Sequence, residues 1–172
     1  ANLLAPTRAG AARGPRAHDG KIVTERPDEL WGTDGTTTMT GEGQATVFIV
    51  TDHYTGESLG LHACRPGTRF EALEPVKQAI ANVFGEATEK IAAGVTLRHD
   101  NGSVYTSEDF QQEIHFYGLT SSPSFVRAPE GNGCAERFIR TLKEQLLWLR
   151  FFPTVAELSE AIAEFRIRYN QC

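Results

Sequence analysis

Three carboxylates stand in contexts that suit metal chemistry. Asp34 lies in Leu30-Trp31-Gly32-Thr33-Asp34, Asp100 in Leu97-Arg98-His99-Asp100-Asn101-Gly102, and Glu136 in Asn132-Gly133-Cys134-Ala135-Glu136-Arg137. Thirty-five residues separate Asp100 from Glu136. The two aspartates fall where apolar strands run out, and the glutamate falls near the start of a long amphipathic helix. Hard cations such as Mg²⁺ or Mn²⁺ prefer carboxylate oxygen and water, and they accept incomplete protein cages that substrate phosphate completes. Two such ions about 4 Å apart stabilise both the attacking and the leaving oxygen of an in-line displacement at phosphorus.

The helix after the third carboxylate adds cations. At about 100° per residue, Arg140 and Lys143 lie within about 40° of Glu136, away from the apolar stripe. One face can therefore carry a metal-binding carboxylate beside two cations for phosphate. The same spacing also describes an ordinary solvated face with a Glu-Arg pair at i,i+4. Spacing alone leaves both readings open.

These side chains require a scaffold of strands and helices. Residues 30–37 read as a first strand, and Gln44 to Asp52 as a second, carrying Ala45-Thr46-Val47-Phe48-Ile49-Val50. After a turn at Thr55-Gly56, Ser58 to Cys64 reads as a third, completing an antiparallel meander. Thr68 and Glu71 form a capping-box pattern for a helix whose expected buried face is Phe70, Leu73, Val76, Ile80 and Val83. Pro75 either kinks this helix or marks its first turn. A fourth strand covers Val95 to Arg98, and Thr106 or Ser107 caps a short helix to about Phe116. A short fifth strand follows Gly118-Leu119-Thr120.

Ser121 to Gly133, with Pro123, Pro129, Gly131 and Gly133, reads as a long and therefore functional or mobile loop. The next helix runs to about Phe151 with a stripe of Ala135, Ile139, Leu142, Leu146 and Leu149. The last starts at Thr154, with Glu157 as capping partner, and buries Val155, Leu158, Ala161, Ile162, Phe165 and Tyr169. The order predicts an α/β domain with a mixed sheet flanked by helices. Residues 1–28 are rich in Ala, Gly, Arg and Pro and read as a linker or disordered arm; residues 29–172 form the core.

Composition narrows the class. The 172 residues are 40% hydrophobic and 23% charged, as in a globular domain. No apolar run approaches the ~20 residues of a membrane span. The three cysteines, Cys64, Cys134 and Cys172, lack paired spacing and read as reduced thiols of a cytoplasmic protein. The net charge of −5 is unevenly spread: residues 1–28 carry +2, residues 29–120 carry −8, and residues 121–172 carry +1. A general basic footprint for DNA is absent. Bound cations would partly neutralise the acidic middle.

In combination, these motifs resemble the catalytic core of the DDE recombinases, the insertion-sequence transposases and retroviral integrases. The resemblance covers about Leu30 to Asn170. It rests on Trp31-x-x-Asp34, His99-Asp100-x-Gly102-x-x-Tyr105-x-Ser107, Asn132-x-x-x-Glu136 with Leu142-Lys143-Glu144, and Tyr169-Asn170. The 35-residue gap is the spacing for which this group is known.

The resemblance implies an RNase H-like fold with a five-stranded mixed sheet. It implies Asp34, Asp100 and Glu136 as catalytic ligands of two Mg²⁺ (or Mn²⁺), and Ser121 to Gly133 as a mobile active-site loop. Arg140 and Lys143, with Asn132 and Arg137, are then expected to face DNA. The implied reaction cuts a phosphodiester with water and joins the resulting 3′-hydroxyl to target DNA. The implied partners are transposon ends, target DNA and at least a second copy of the chain. The implied location is the cytoplasm of a bacterium, at the nucleoid. Gly131, where relatives often have Asp, and Arg137, where they usually have a small residue, depart from the pattern. Both are expected to affect the loop or DNA contacts rather than the metal ligands. Neither a helix-turn-helix segment nor a His/Cys zinc module is legible, so the chain reads as an excised core.

Other residues invite simpler readings. Asp52 is either a fourth acidic neighbour or a turn residue. His99 is expected to pack rather than ligate, and Cys134 to be a small loop residue rather than a nucleophile. Trp31 and Trp148 read as core or interface aromatics. Asn132 either touches substrate or shapes the loop. The alternatives to a transposase are an RNase H-like nuclease without strand transfer and a non-catalytic DNA-binding or oligomerisation module.

Overall fold

A computed structural model describes residues 23–124 and 129–172. Most of the expected N-terminal arm, and residues 125–128 of the expected loop, lie outside the described residues. Strands β1 (Leu30–Thr40), β2 (Gly43–Asp52) and β3 (Ser58–Cys64) form the antiparallel meander. Helix α1 (Arg69–Phe84) crosses back, and β4 (Thr96–His99) and β5 (Thr120–Pro123) extend the sheet in parallel. The strand order is β3-β2-β1-β4-β5, a five-stranded mixed sheet of the RNase H-like kind.

Helices cover both faces of the sheet. On one, α1, the single turn α2 (Ser103–Thr106) and α3 (Glu108–Phe116) bury Leu73, Val76, Ile80, Tyr105, Phe110 and Ile114 against Trp31, Val50 and Leu97. On the other, α4 (Gly133–Leu142), its continuation over Lys143–Leu147 and α5 (Val155–Gln171) bury Ala135, Phe138, Leu142, Leu158 and Phe165 against Val47, Ile49 and Leu61.

The caps agree with the sequence. Thr68 accepts from the Glu71 amide, Thr154 from the Glu157 amide, and Ser107, rather than Thr106, from the Phe110 amide. Pro75 lies inside α1 without ending it. Two apolar expectations fail. Phe70 is 56% exposed, because the buried stripe runs through Ala72, Val76 and Ala79, about 150° from it. Leu149 is 75% exposed. Beyond Leu142 the helix widens into a π turn that closes with the Trp148 amide on the Lys143 carbonyl, and Leu149 falls past its end.

The outer edge of β3 is closed by side chains. The Asn170 amide accepts from the Ser58 N–H and donates to the Ser58 carbonyl, both at 2.9 Å. Arg166 Nε also donates to that carbonyl, Asn82 donates to the Leu59 carbonyl, and Gln78 accepts from the Leu61 N–H. An edge whose polar groups are already occupied is a poor template for unwanted strand pairing.

Candidate active site

Sheet register brings the first two carboxylates together. Strands β1 and β4 pair in parallel with Gly32 opposite Arg98. Continuing that register by two residues sets Asp34 opposite Asp100, just past the end of β4. Strand alternation turns Asp34 to the same side as Gly32, which faces α4 through Asn132 and Ala135. Glu136 lies exposed in the first turn of α4. The three carboxylates therefore approach one corner of the sheet from β1, from the end of β4 and from α4.

Their electrostatics report the convergence. Asp34 is pushed up to about 6, chiefly by burial, while a hydrogen bond from the Gly35 N–H opposes the rise. The charges of Asp100 and Glu136 raise it further, and Lys143 lowers it. Lys143 thus shares the field of the three acids. The carboxylate oxygens are not yet within mutual ligand distance: among the described residues, the one group of three potential ligand atoms within 4.8 Å of each other is elsewhere, at His62, Cys64 and Glu71. Three like charges gathered at a partly buried corner fit a divalent cation, which would relieve both repulsion and desolvation.

Local structure fixes two of the acids. Asp34 Oδ1 accepts from the Gly35 N–H at 2.8 Å. Asp100 Oδ1 accepts from the Gly102 N–H at 2.6 Å and turns the chain out of β4. A Cβ at Gly102 would sit 2.7 Å from that oxygen, so this turn needs glycine. At Gly32 a Cβ would strike the Asn132 side chain, so the missing side chain lets the start of α4 approach β1.

The expected DNA-facing residues separate into groups. Arg140 is exposed on α4, and Lys143 is partly buried beside the acids. Arg137 is exposed but lines a cleft of about 580 Å³ between α4 and α5 with Thr141, Arg168 and Tyr169. Asn132, expected among the DNA contacts, is 7% exposed, and its amide donates to the Thr33 carbonyl at 2.9 Å. It pins α4 to β1 and leaves little surface for substrate.

Neighbouring residues take structural roles. Asp52 is buried and accepts from the amides of Tyr54, Thr55 and Asp28, so it organises the turn after β2. His99 is buried, bridges the Asp100 carbonyl and the Ser121 hydroxyl, and stacks on Tyr105. Burial pushes the Cys134 thiol up, and its Sγ donates to the Asp52 carbonyl, as expected of a packing thiol. Trp31 is fully buried, whereas Trp148 is 69% exposed.

Tyr105 carries a signal that motif spacing could not interpret. Its ring is clamped between His99 and Phe110, and its enclosed hydroxyl lies toward Thr33 without a well-formed hydrogen bond. Burial, followed by the charges of Asp34 and, less strongly, Asp100, disfavours its ionised form.

Comparison with known proteins decides the family. Two models of the integrase core domain match, one over residues 24–129 and the other over residues 117–172. The chain belongs to the integrase core domain family. That family supplies the catalytic cores of transposases and integrases, which are polynucleotidyl transferases. This integrase core is 26% identical over 171 residues to the InsD transposases of insertion elements IS2E and IS2D of Escherichia coli strain K12. The alignments take in 98% of this chain, 78% of the IS2E protein and 56% of the IS2D protein.

Two solved structures share the fold. An integrase chain of the simian T-cell lymphotropic virus intasome, solved with the PP2A regulatory subunit B56 gamma, superposes with a TM-score of 0.60 at 21% identity. That match covers 78% of this chain and 47% of the viral chain. The HTLV-2 integrase catalytic core domain, solved with magnesium in a trimeric form, gives a TM-score of 0.54 at 20% identity over 69% of this chain and 68% of that one. No helix among the described residues is long and apolar enough to cross a membrane.

Proposed function

We propose that residues 29–172 are the metal-dependent catalytic core of a bacterial DNA transposase, with residues 1–28 as its N-terminal arm. The parallel β1–β4 register that sets Asp34 opposite Asp100, with Glu136 in the first turn of α4 beside them, supports this reading. These three residues would hold two Mg²⁺ or Mn²⁺ ions. When bound, the ions would lower the barrier to in-line displacement at phosphorus by stabilising the attacking and leaving oxygens.

The chain's own groups do the positioning. Asp34 and Asp100 are fixed by backbone N–H donors, so two of the acids keep their orientation without substrate. Asn132 holds the N-terminus of α4 on β1 and thereby sets where Glu136 stands. Lys143 and Arg140 offer cations to the phosphates on either side of the scissile bond, and Arg137 meets more distant backbone from the α4–α5 cleft. Hydrolysis leaves a 3′-hydroxyl, which can then serve as nucleophile at a target phosphodiester in the same corner. A homodimer or larger assembly would present two such corners to the two transposon ends.

A branched DNA duplex that mimics the joined product tests this directly, because its resolution is the reverse of strand transfer. The reading expects Mn²⁺-dependent release of one strand together with rejoining of the other, with both products at background in Asp100→Asn and Glu136→Gln. Release without rejoining would support a nuclease. Products that persist in both variants would overturn the assignment of the carboxylates.

A further inference from the structure

A second cluster of metal-ligating side chains lies away from the carboxylate corner. Strand alternation turns His62 and Cys64 toward α1, while Leu61 and Ala63 face the α5 side. Glu71 comes to the same point from the first turn of α1, its N–H held by the Thr68 cap. The Cys64 sulfur, a His62 ring nitrogen and a Glu71 carboxylate oxygen all lie within 4.8 Å of one another. His62 Nε2 already meets Glu71 Oε2. In the sheet order, β2 and β1 separate β3 from β4, which keeps this cluster apart from Asp100.

We propose that His62, Cys64 and Glu71 form a second metal site that takes a borderline-soft divalent ion, Zn²⁺ by chemical class. The donor set decides the metal. Thiolate, imidazole and carboxylate together suit Zn²⁺, whereas Mg²⁺ and Mn²⁺ favour all-oxygen sites such as the carboxylate corner. Tetrahedral Zn²⁺ places its ligand atoms about 3.5 Å apart, so the Cys64 sulfur has to close by no more than about 1.3 Å while His62 and Glu71, now in direct contact, part to admit the ion. Binding displaces the Cys64 thiol proton to solvent, and the His62 imidazole ligates through a ring-nitrogen lone pair while its other nitrogen keeps the N–H. The His62 and Glu71 side chains are 27% and 37% exposed, which gives the ion a way in and leaves the fourth position to water. The ion would tie the edge strand to the first turn of α1. The site does not depend on the catalytic reading.

Co²⁺ titration of the 172-residue chain under reducing conditions is the test, since thiolate ligation gives a sulfur-to-metal charge-transfer band. One equivalent of band is expected in the wild type. It should persist in Asp100→Asn, vanish in Cys64→Ala, and require at least about tenfold more Co²⁺ in His62→Gln. Zn²⁺ should bleach the band and raise the melting temperature of the wild type but not of His62→Gln. Circular dichroism confirms that each variant is folded. His62→Gln replaces a partly exposed residue and serves if Cys64→Ala does not fold. Absence of the band in the wild type, its survival in Cys64→Ala, or an unchanged midpoint in folded His62→Gln would overturn the proposal. The trio would then be a His-Glu pair over a buried thiol.

Discussion

The β3 edge and the middle of the sheet follow opposite rules. At the β3 edge, backbone groups that the ladder leaves open are met by Asn170, Arg166, Asn82 and Gln78. At the β1–β4 corner, Asp34 is desolvated among like charges. A folded chain keeps such costs where something outside it removes them. The contrast separates residues that hold the fold from residues held ready for a ligand, although Asn170 and the three acids all lie in the sequence motifs.

Breaking the satisfied end should have the largest effect. Asn170→Ala leaves the Ser58 N–H unpaired and weakens the bonding of its carbonyl, so a loss of about 2–3 kcal/mol is expected in urea unfolding. Arg166 remains as a partial substitute at the carbonyl. If Asn170→Ala unfolds like wild type, the edge is not held this way.

Relieving the acidic end should have the opposite sign. The folded chain holds the Asp34 proton up to about pH 6, against 3.8 for the ordinary carboxyl. Between those values the folded state binds more protons than the unfolded state, so metal-free stability falls as pH rises from about 4 to 6. Asp34→Asn should remove that slope and add on the order of 2 kcal/mol at pH 7 without metal. Unfolding midpoints across this pH range provide the check, and an unchanged slope in the variant would remove Asp34 as its source.

The smallest effect sharpens the comparison. Tyr105→Phe deletes an enclosed hydroxyl that no well-formed hydrogen bond holds, so it should leave metal-free stability within about 1 kcal/mol of wild type. A clear loss in urea unfolding would mean that the hydroxyl is satisfied in solution.

Much of this layout was legible in the chain itself. Apolar runs located the first four strands, and Thr68 and Thr154 marked helix starts, because both signals arise within a few residues, whereas β5 (Thr120-Ser121-Ser122-Pro123) has no apolar run and occupies the start of the segment read as a loop. Asp34 beside Asp100 required the parallel β1–β4 pairing, which follows from mixed-sheet topology rather than from local pattern. Phe70 and Leu149 escaped because an apolar residue at helical spacing does not reveal where the stripe is centred or where the helix widens. Asn132 looked like a substrate contact because its burial depends on Gly32, a hundred residues earlier in the chain. The approach of His62 and Cys64 to Glu71 was hidden for the same reason, since it forms only when α1 folds back on β3.

Mn²⁺ calorimetry at pH 7, comparing wild type with Asp34→Asn, tests the central claim most directly. If the three carboxylates form one metal site, wild type binds Mn²⁺ and Asp34→Asn weakens that binding by at least about tenfold while remaining folded. Equal Mn²⁺ binding by the two proteins would contradict the claim and separate Asp34 from any metal this chain holds.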